Sequence, residues 1–169
     1  MDYTKYIAVV EDFPKKGISF KDISPLLRNA KAFSSCIDDL AKLASQYDFD
    51  VICGPESRAF VFASALAYKM HKGFVMARKA GKLPGITYKL TYQLEYATAT
   101  IEIPAASFKK GDKVLLLDDL MATGGTFKAL KQLIENAGGE VVGALTVINL
   151  KDLGGAKNLG VKCSSLLDL

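Results

Sequence analysis

Apolar positions along this chain alternate between unbroken runs of four or five and spacings of three and four, the pattern of buried strands separated by amphipathic helices. The clearest run is Val114, Leu115, Leu116 and Leu117, whose lack of polar alternation predicts a strand covered on both faces of a parallel sheet. Helical spacing follows it in FKALKQLIENAGG, and precedes it in Ala30 to Tyr47, where Phe33, Ile37, Leu40, Leu43 and Ala44 predict a covering helix. DFDVICG predicts another short buried strand with the apolar helix FVFASALAYKM behind it, Gly73 to Ala77 a third, and GGEVVGALTVINL a further one. ITYKLTYQLEYATATIEIP alternates polar with apolar residues and predicts two extended arms of a hairpin or flap. Asp12 to Leu27 is punctuated by Pro14, Gly17 and Pro25, so it predicts an irregular arm with one short extended piece around Ile18 and Phe20. Strands alternating with helices imply an α/β fold, a twisted, mainly parallel sheet flanked by helices with ligand loops at the carboxyl ends of its strands.

The 169 residues, 50% of them hydrophobic, suit one domain with a sizeable core. Lys and Arg number 22 against 18 Asp and Glu, a net charge of +4. So mild an excess without a block of like charges argues against nucleic acid and is compatible with small anionic substrates. No apolar run reaches the roughly 18 to 20 residues that cross a bilayer, and MDYTKYIAVVEDFP has no basic start followed by an apolar signal region. Cys36, Cys53 and Cys163 are odd in number and scattered, as reduced core thiols of a cytoplasmic protein would be. His71, among Lys69 and Lys72 at a predicted helix end, reads as a solvated residue.

The chemistry concentrates where the predicted strands end. After Leu117 come two carboxylates, Asp118 and Asp119, and then Ala122, Thr123, Gly124, Gly125 and Thr126 before the helix. Glycines let backbone N–H groups turn toward an anion, hydroxyls add donors, and the helix N-terminus contributes partial positive charge, so the loop is suited to a phosphate. A plain phosphate cradle would not stand beside two negative charges. Asp118 and Asp119 therefore face hydroxyls, a metal ion, or positive charge developing in a reaction, and a ribose carrying a 5′-phosphate fits both halves. The stretch is neither a GxxxxGK[ST] loop nor a GxGxxG fingerprint. At the preceding strand end, Arg58 places a planar cation, and Arg78, Lys79 and Lys82 gather three more within five residues, an arrangement suited to a polyanion. Phe20 can stack on a planar heterocycle.

VLLLDDLMATGGT closely resembles the phosphoribosyl pyrophosphate (PRPP) motif of type I phosphoribosyltransferases. The arm DFPKKGISFKDISPLL resembles the segment that forms a hood over the base in adenine phosphoribosyltransferases, and GPESRAF, RKAGKLPG and YQLEYA resemble further blocks of that family in family order, over about Asp12 to Leu159. Lys16, Lys21, Pro55, Ala59 and Ala97 depart from the family's usual residues, and Ala156 and Lys157 of the tail's GGAKNL are loose equivalents of its Gly-Arg-x-x-Leu. The resemblance implies a type I phosphoribosyltransferase fold with a hood at about residues 1–30 and a flexible catalytic flap at about 78–103 of a single 1–169 domain. It implies transfer of phosphoribose from PRPP to adenine, giving AMP and pyrophosphate. Phe20 would stack on adenine with backbone around Ser19 and Lys21 reading its edge, and Ala122, Thr123, Gly124, Gly125 and Thr126 would grip the 5′-phosphate. Arg58, Arg78, Lys79 and Lys82 would hold pyrophosphate in a loop with a cis peptide between Glu56 and Ser57. Asp118 and Asp119 would hold the ribose hydroxyls, and Glu95 would manage the adenine proton. Mg²⁺ would be carried by PRPP or pyrophosphate and waters near Asp118 and Asp119, with no direct protein ligand, and the protein would be a cytoplasmic homodimer. Alternatives are a transferase for another purine (hypoxanthine, guanine or xanthine), disfavoured by the hood and YQLEYA; a non-catalytic PRPP-binding regulator, which would usually add a nucleic-acid-binding domain; and a structural partner.

Overall fold

In the computed structural model, which describes residues 1–93 and 98–169, the chain opens with a 3-10 turn, Tyr3–Tyr6, and two short strands, β1 (Ala8–Val10) and β2 (Phe20–Asp22). They pair antiparallel, Val10 opposite Phe20, so the extended piece expected near Phe20 is half of a small separate sheet. The arm is more regular than its Pro and Gly content implies: Ser24–Arg28 closes into α1, with Pro25 in its first turn, where its missing N–H costs nothing. Helix α2 (Ala30–Ala44) follows, capped by the Asn29 side chain, which accepts from the Ala32 N–H at 2.9 Å.

Next come β3 (Val51–Pro55), α3 (Arg58–Met70), β4 (Gly73–Lys79), β5 (Thr87–Gln93), β6 (Thr98–Pro104), β7 (Lys113–Met121), α4 (Gly125–Asn136), β8 (Glu140–Asn149) and β9 (Cys163–Asp168). One seven-stranded sheet has the order β5-β6-β4-β3-β7-β8-β9. Strands β4, β3, β7, β8 and β9 are parallel neighbours, and β5 and β6 form the antiparallel hairpin on one edge. The expected mainly parallel sheet is thus present. Strand β9 is an addition: the short alternation of the tail carried no strong strand signal, and it is recruited because β8 offers it an edge, with Ala144 opposite Cys163.

The central strand shows why the apolar run needed no alternation. Leu115 and Leu117 enter a core with α2, α3 and the N-terminal arm, while Val114 and Leu116 enter a second core with α4. All four are fully buried. Strand β7 also runs past the apolar residues: Asp118 is opposite Thr146 and Met121 opposite Asn149, so the acidic pair is the strand's own end and not a loop after it. The arm is fastened to this body by buried Tyr3, whose hydroxyl donates to the Asp39 carboxylate at 2.5 Å. The three cysteines are free thiols; burial pushes Cys36 and Cys53 up to about 12, which keeps both protonated. His71 ends α3 in the left-handed conformation and is exposed. Among the described residues no helix is long and apolar enough to cross a membrane.

These contacts set an order of costs. Leu117→Ala should lower unfolding free energy by about 2 to 5 kcal/mol. Tyr3→Phe, which removes one hydrogen bond to a carboxylate still paired with Lys42, should cost roughly 1 to 2 kcal/mol. Urea unfolding of the two variants checks the ranking.

Candidate active site

Three strand ends meet at one edge of the sheet. Strand β7 delivers Asp118 and Asp119, β3 leads through Glu56 and Ser57 into α3, and β4 ends on Arg78 and Lys79. Their side chains line two adjoining cavities. One, of about 280 Å³, is bounded by Glu56, Ser57, Arg58, Lys79, Asp118 and Asp119. The other, of about 630 Å³, runs from Glu56, Lys79 and Asp118 to Tyr92 and Thr126. A smaller pocket of about 150 Å³ is walled by Asp118 and the whole turn from Ala122 to Thr126.

Successive strand residues point to opposite faces, so the two acids have different neighbours. Asp119 is buried and forms an ion pair with the Arg58 guanidinium. Within that contact Asp119 Oδ2 is engaged by Arg58 Nη2, while Arg58 Nε is buried without a hydrogen-bond partner. Asp118 Oδ1 accepts from the Asp119 N–H at 2.8 Å. Burial, and then the negative charge of Asp119, push the Asp118 carboxyl well above the usual carboxylate range, against the opposing pull of Arg58. The pair is poised to gain from a cation or from positive charge forming between the acids and the turn Ala122 to Thr126. Among the described residues no group of three or more His, Cys, Asp or Glu could itself hold a metal ion.

The turn Ala122 to Thr126 opens α4. Gly124 is its N-cap at φ 81°, with no side chain capping the first turn, so those N–H groups point into the small pocket. Sequence reasoning missed what lies beneath. Gly155 is packed against the back of the turn so closely that a Cβ there would stand 2.3 Å from Ala122 O and 2.7 Å from Gly124 N. Only a glycine allows this approach, and its signal was the second glycine of GGAKNL, a stretch noted for its resemblance to Gly-Arg-x-x-Leu but given no role.

The basic residues divide. Lys79 lines both larger cavities. Arg78 is turned aside, donating from Nε to Glu56 Oε2 at 2.6 Å and from Nη1 to Lys82 O at 3.0 Å. Arg58 reaches the arm: its guanidinium stands over the Phe20 ring at 4.9 Å and donates to Lys21 O at 2.9 Å. Hood and acidic pair are therefore joined through one cation. Phe20 is also packed edge-on by Phe13 at 5.2 Å, whereas the Lys21 ammonium donates to Ser19 Oγ at 3.0 Å on the exposed side. The peptide between Glu56 and Ser57 is cis, as the resemblance implied. Tyr92 of the hairpin brings its hydroxyl within 3.3 Å of Thr126 Oγ1. Glu95 lies outside the described residues, together with Leu94, Tyr96 and Ala97.

The phosphoribosyl transferase domain family matches residues 20–164. An adenine phosphoribosyltransferase of Pseudothermotoga lettingae is 50% identical over 150 residues, covering 89% of this chain and 88% of that protein. The chain belongs to the adenine phosphoribosyltransferase family. Among solved structures, the adenine phosphoribosyltransferase of Thermoanaerobacter pseudethanolicus superposes with a TM-score of 0.97 at 44% identity, over 99% of this chain and 98% of that one. That of Saccharomyces cerevisiae, complexed with an imino-altritol bisphosphate and adenine, superposes at 0.91 and 35% identity over 98% and 97%. Family membership accounts for the acidic strand end and glycine turn occurring together.

Two outcomes test this geometry. A carboxyl whose pKa is raised by folding stabilises the protein only at low pH and loses that contribution as pH rises through the folded value. Asp118→Asn, which keeps the acceptor for the Asp119 N–H, should therefore raise Tm by about 2 to 4 °C at neutral pH, with the gain vanishing below about pH 4; a thermal scan against pH shows it. Gly155→Ala should weaken binding of ribose 5-phosphate at least ~10-fold, since about 1.4 kcal/mol of displaced loop suffices, and calorimetric titration measures it.

Proposed function

We propose that this chain transfers the 5-phosphoribosyl group of PRPP to adenine, forming AMP and releasing pyrophosphate. The observation that carries the reading is the convergence, on one connected hollow, of a buried acidic pair, an uncapped glycine turn opening a helix, and the cation-bearing ends of two other strands. That combination suits a substrate that is a sugar in the middle and phosphate at both ends. The N–H groups and hydroxyls of Ala122, Thr123, Gly124, Gly125 and Thr126 hold the 5′-phosphate. Asp118 and Asp119 accept from the 2′ and 3′ hydroxyls and favour the positive charge that grows on the ribose ring as the C1–O bond to pyrophosphate breaks. Lys79 and Lys82 neutralise the departing anion. Arg78 braces the loop they stand on, and Arg58, which here spans Phe20 and Asp119, turns to the diphosphate. Adenine stacks on Phe20, with backbone near Ser19 and Lys21 reading its edge, and Glu95 takes up the proton that the base loses as its nitrogen bonds to C1.

Magnesium fits this site: Asp118 lines both larger cavities, and its raised carboxyl would be relieved by a dication. When bound it would neutralise the diphosphate, and Asp118 and Asp119 would hold it through waters. We assign the protein to the cytoplasm, where its free thiols are stable. We also assign a homodimer, a state supported by Val61 and Tyr68 of α3 and Met76 of β4, which are apolar and exposed.

The test is a purine panel. Purified protein with PRPP and magnesium is offered adenine, hypoxanthine, guanine and xanthine separately, and nucleotide formation is followed for each. AMP from adenine alone is expected. Product from an oxopurine would overturn the base assignment and keep the PRPP site, while PRPP binding without any product would replace the enzyme by a binding protein.

A further inference from the structure

Glu102 lies in the middle of β6 with only 1% of its surface exposed, and the mechanism above does not use it. Its neighbours across the sheet are Lys89 of β5 on one side and Arg78 of β4 on the other, so a carboxylate stands between two cations on one face. It is fully engaged. Oε1 accepts from the backbone N–H groups of Lys82 and Leu83 at 3.1 and 3.3 Å, and Oε2 accepts from Thr87 Oγ1 at 3.0 Å and lies 3.2 Å from Lys89 Nζ. Burial alone would raise the carboxyl, but these donors outweigh it and hold it down to about 2, so the charge is permanent at any working pH.

The contacts fall on the basic turn between β4 and β5. The Lys82 peptide is gripped at both ends, its N–H by Glu102 and its carbonyl by Arg78 Nη1 at 3.0 Å, and Arg78 is itself fixed by Glu56 of the neighbouring loop. Thr87, at the start of the hairpin that leads to the flap, hangs on the same carboxylate. A turn of this composition, RKAGKLPG, has two glycines at positive φ, Gly81 and Gly85, and would otherwise sample many conformations at an entropic cost on each binding event.

We propose that Glu102 is the positioning residue of the diphosphate-binding turn, fixing residues 82 and 83 and the root of the flap as one unit before the anion arrives. The inference rests on the reading that this turn receives pyrophosphate. It gives a buried acid a purpose beside an anionic ligand: its negative charge is spent on backbone donors and Lys89, so it orders the turn without facing the diphosphate.

The test compares two replacements of nearly equal size in the full chain. Glu102→Gln retains an acceptor for the Lys82 and Leu83 amides, whereas Glu102→Met retains none. Binding of magnesium pyrophosphate and of AMP is measured by calorimetry. The expected result is at least a 10-fold loss of pyrophosphate affinity in Glu102→Met, recovered to within about threefold in Glu102→Gln, with AMP affinity changed less than twofold in both. A KM for PRPP raised in the same order with kcat retained should accompany it. Should Glu102→Met not fold, amide hydrogen exchange in Glu102→Gln decides: faster exchange at Lys82 and Leu83, with weaker pyrophosphate binding, supports the role. Equal losses for AMP and pyrophosphate, unchanged pyrophosphate affinity in Glu102→Met, or, where only Glu102→Gln folds, unchanged exchange at Lys82 and Leu83, would overturn it. A wild-type protein that binds no magnesium pyrophosphate would instead overturn the reading of the turn, while exchange at Lys82 and Leu83 would still report whether Glu102 orders it.

Discussion

Two carboxylates one residue apart at the end of a strand buried on both faces cannot both be ionised there without compensation, and much of the surrounding structure supplies it. Asp119 is met by Arg58, and Asp118 lies toward the hollow with its carboxyl pushed up by burial and by its neighbour. The cation that answers Asp119 is the one that holds the hood, since it also stacks on Phe20 and donates to Lys21 O. The acid pair, the loop after β3 and the N-terminal arm are thus one electrostatic unit. What would relieve the unit further is positive charge between Asp118 and the turn that opens α4.

The two turns proposed to bind anions are supported by different physics. The turn before α4 depends on shape: Gly155 lies so close beneath Ala122 and Gly124 that no other residue fits, and the uncapped helix start supplies the donors. The turn after β4 depends on charge, with Glu102 and Arg78 holding opposite ends of the Lys82 peptide. A phosphate held at a fixed place in the ground state needs a rigid cradle. A diphosphate that must leave is better served by a turn whose order is set by a few replaceable contacts, an arrangement that lets binding and release share one route.

Sequence and structure agree best where periodicity is strong. The run Val114 to Leu117, the helical spacing after Thr126, and the paired alternation around Tyr92 and Ile101 each became the element expected. They differ where an element exists only because a neighbour offers an edge or a face, as with β9 against β8 and the pairing of β1 with β2. The acidic pair was legible as chemistry at a strand end, but the strand runs farther than its apolar run, because the ladder to β8 carries β7 through Met121 whatever the side chains.

The sequence by itself determined the alternation of strands and helices, the glycine turn before α4 and the family to which the chain belongs, because each is written in neighbouring residues whose spacing repeats or whose types act together. It could not show that Arg58 joins Phe20 to Asp119, that Arg78 faces Glu56 and Lys82, that Gly155 lies beneath Gly124, or that Glu102 gathers four donors. Those contacts join residues from 4 to 61 positions apart on the way to one site. Only the order of strands in the sheet brings their ends together, and it is the burial created there that turns ordinary acids and bases into a site.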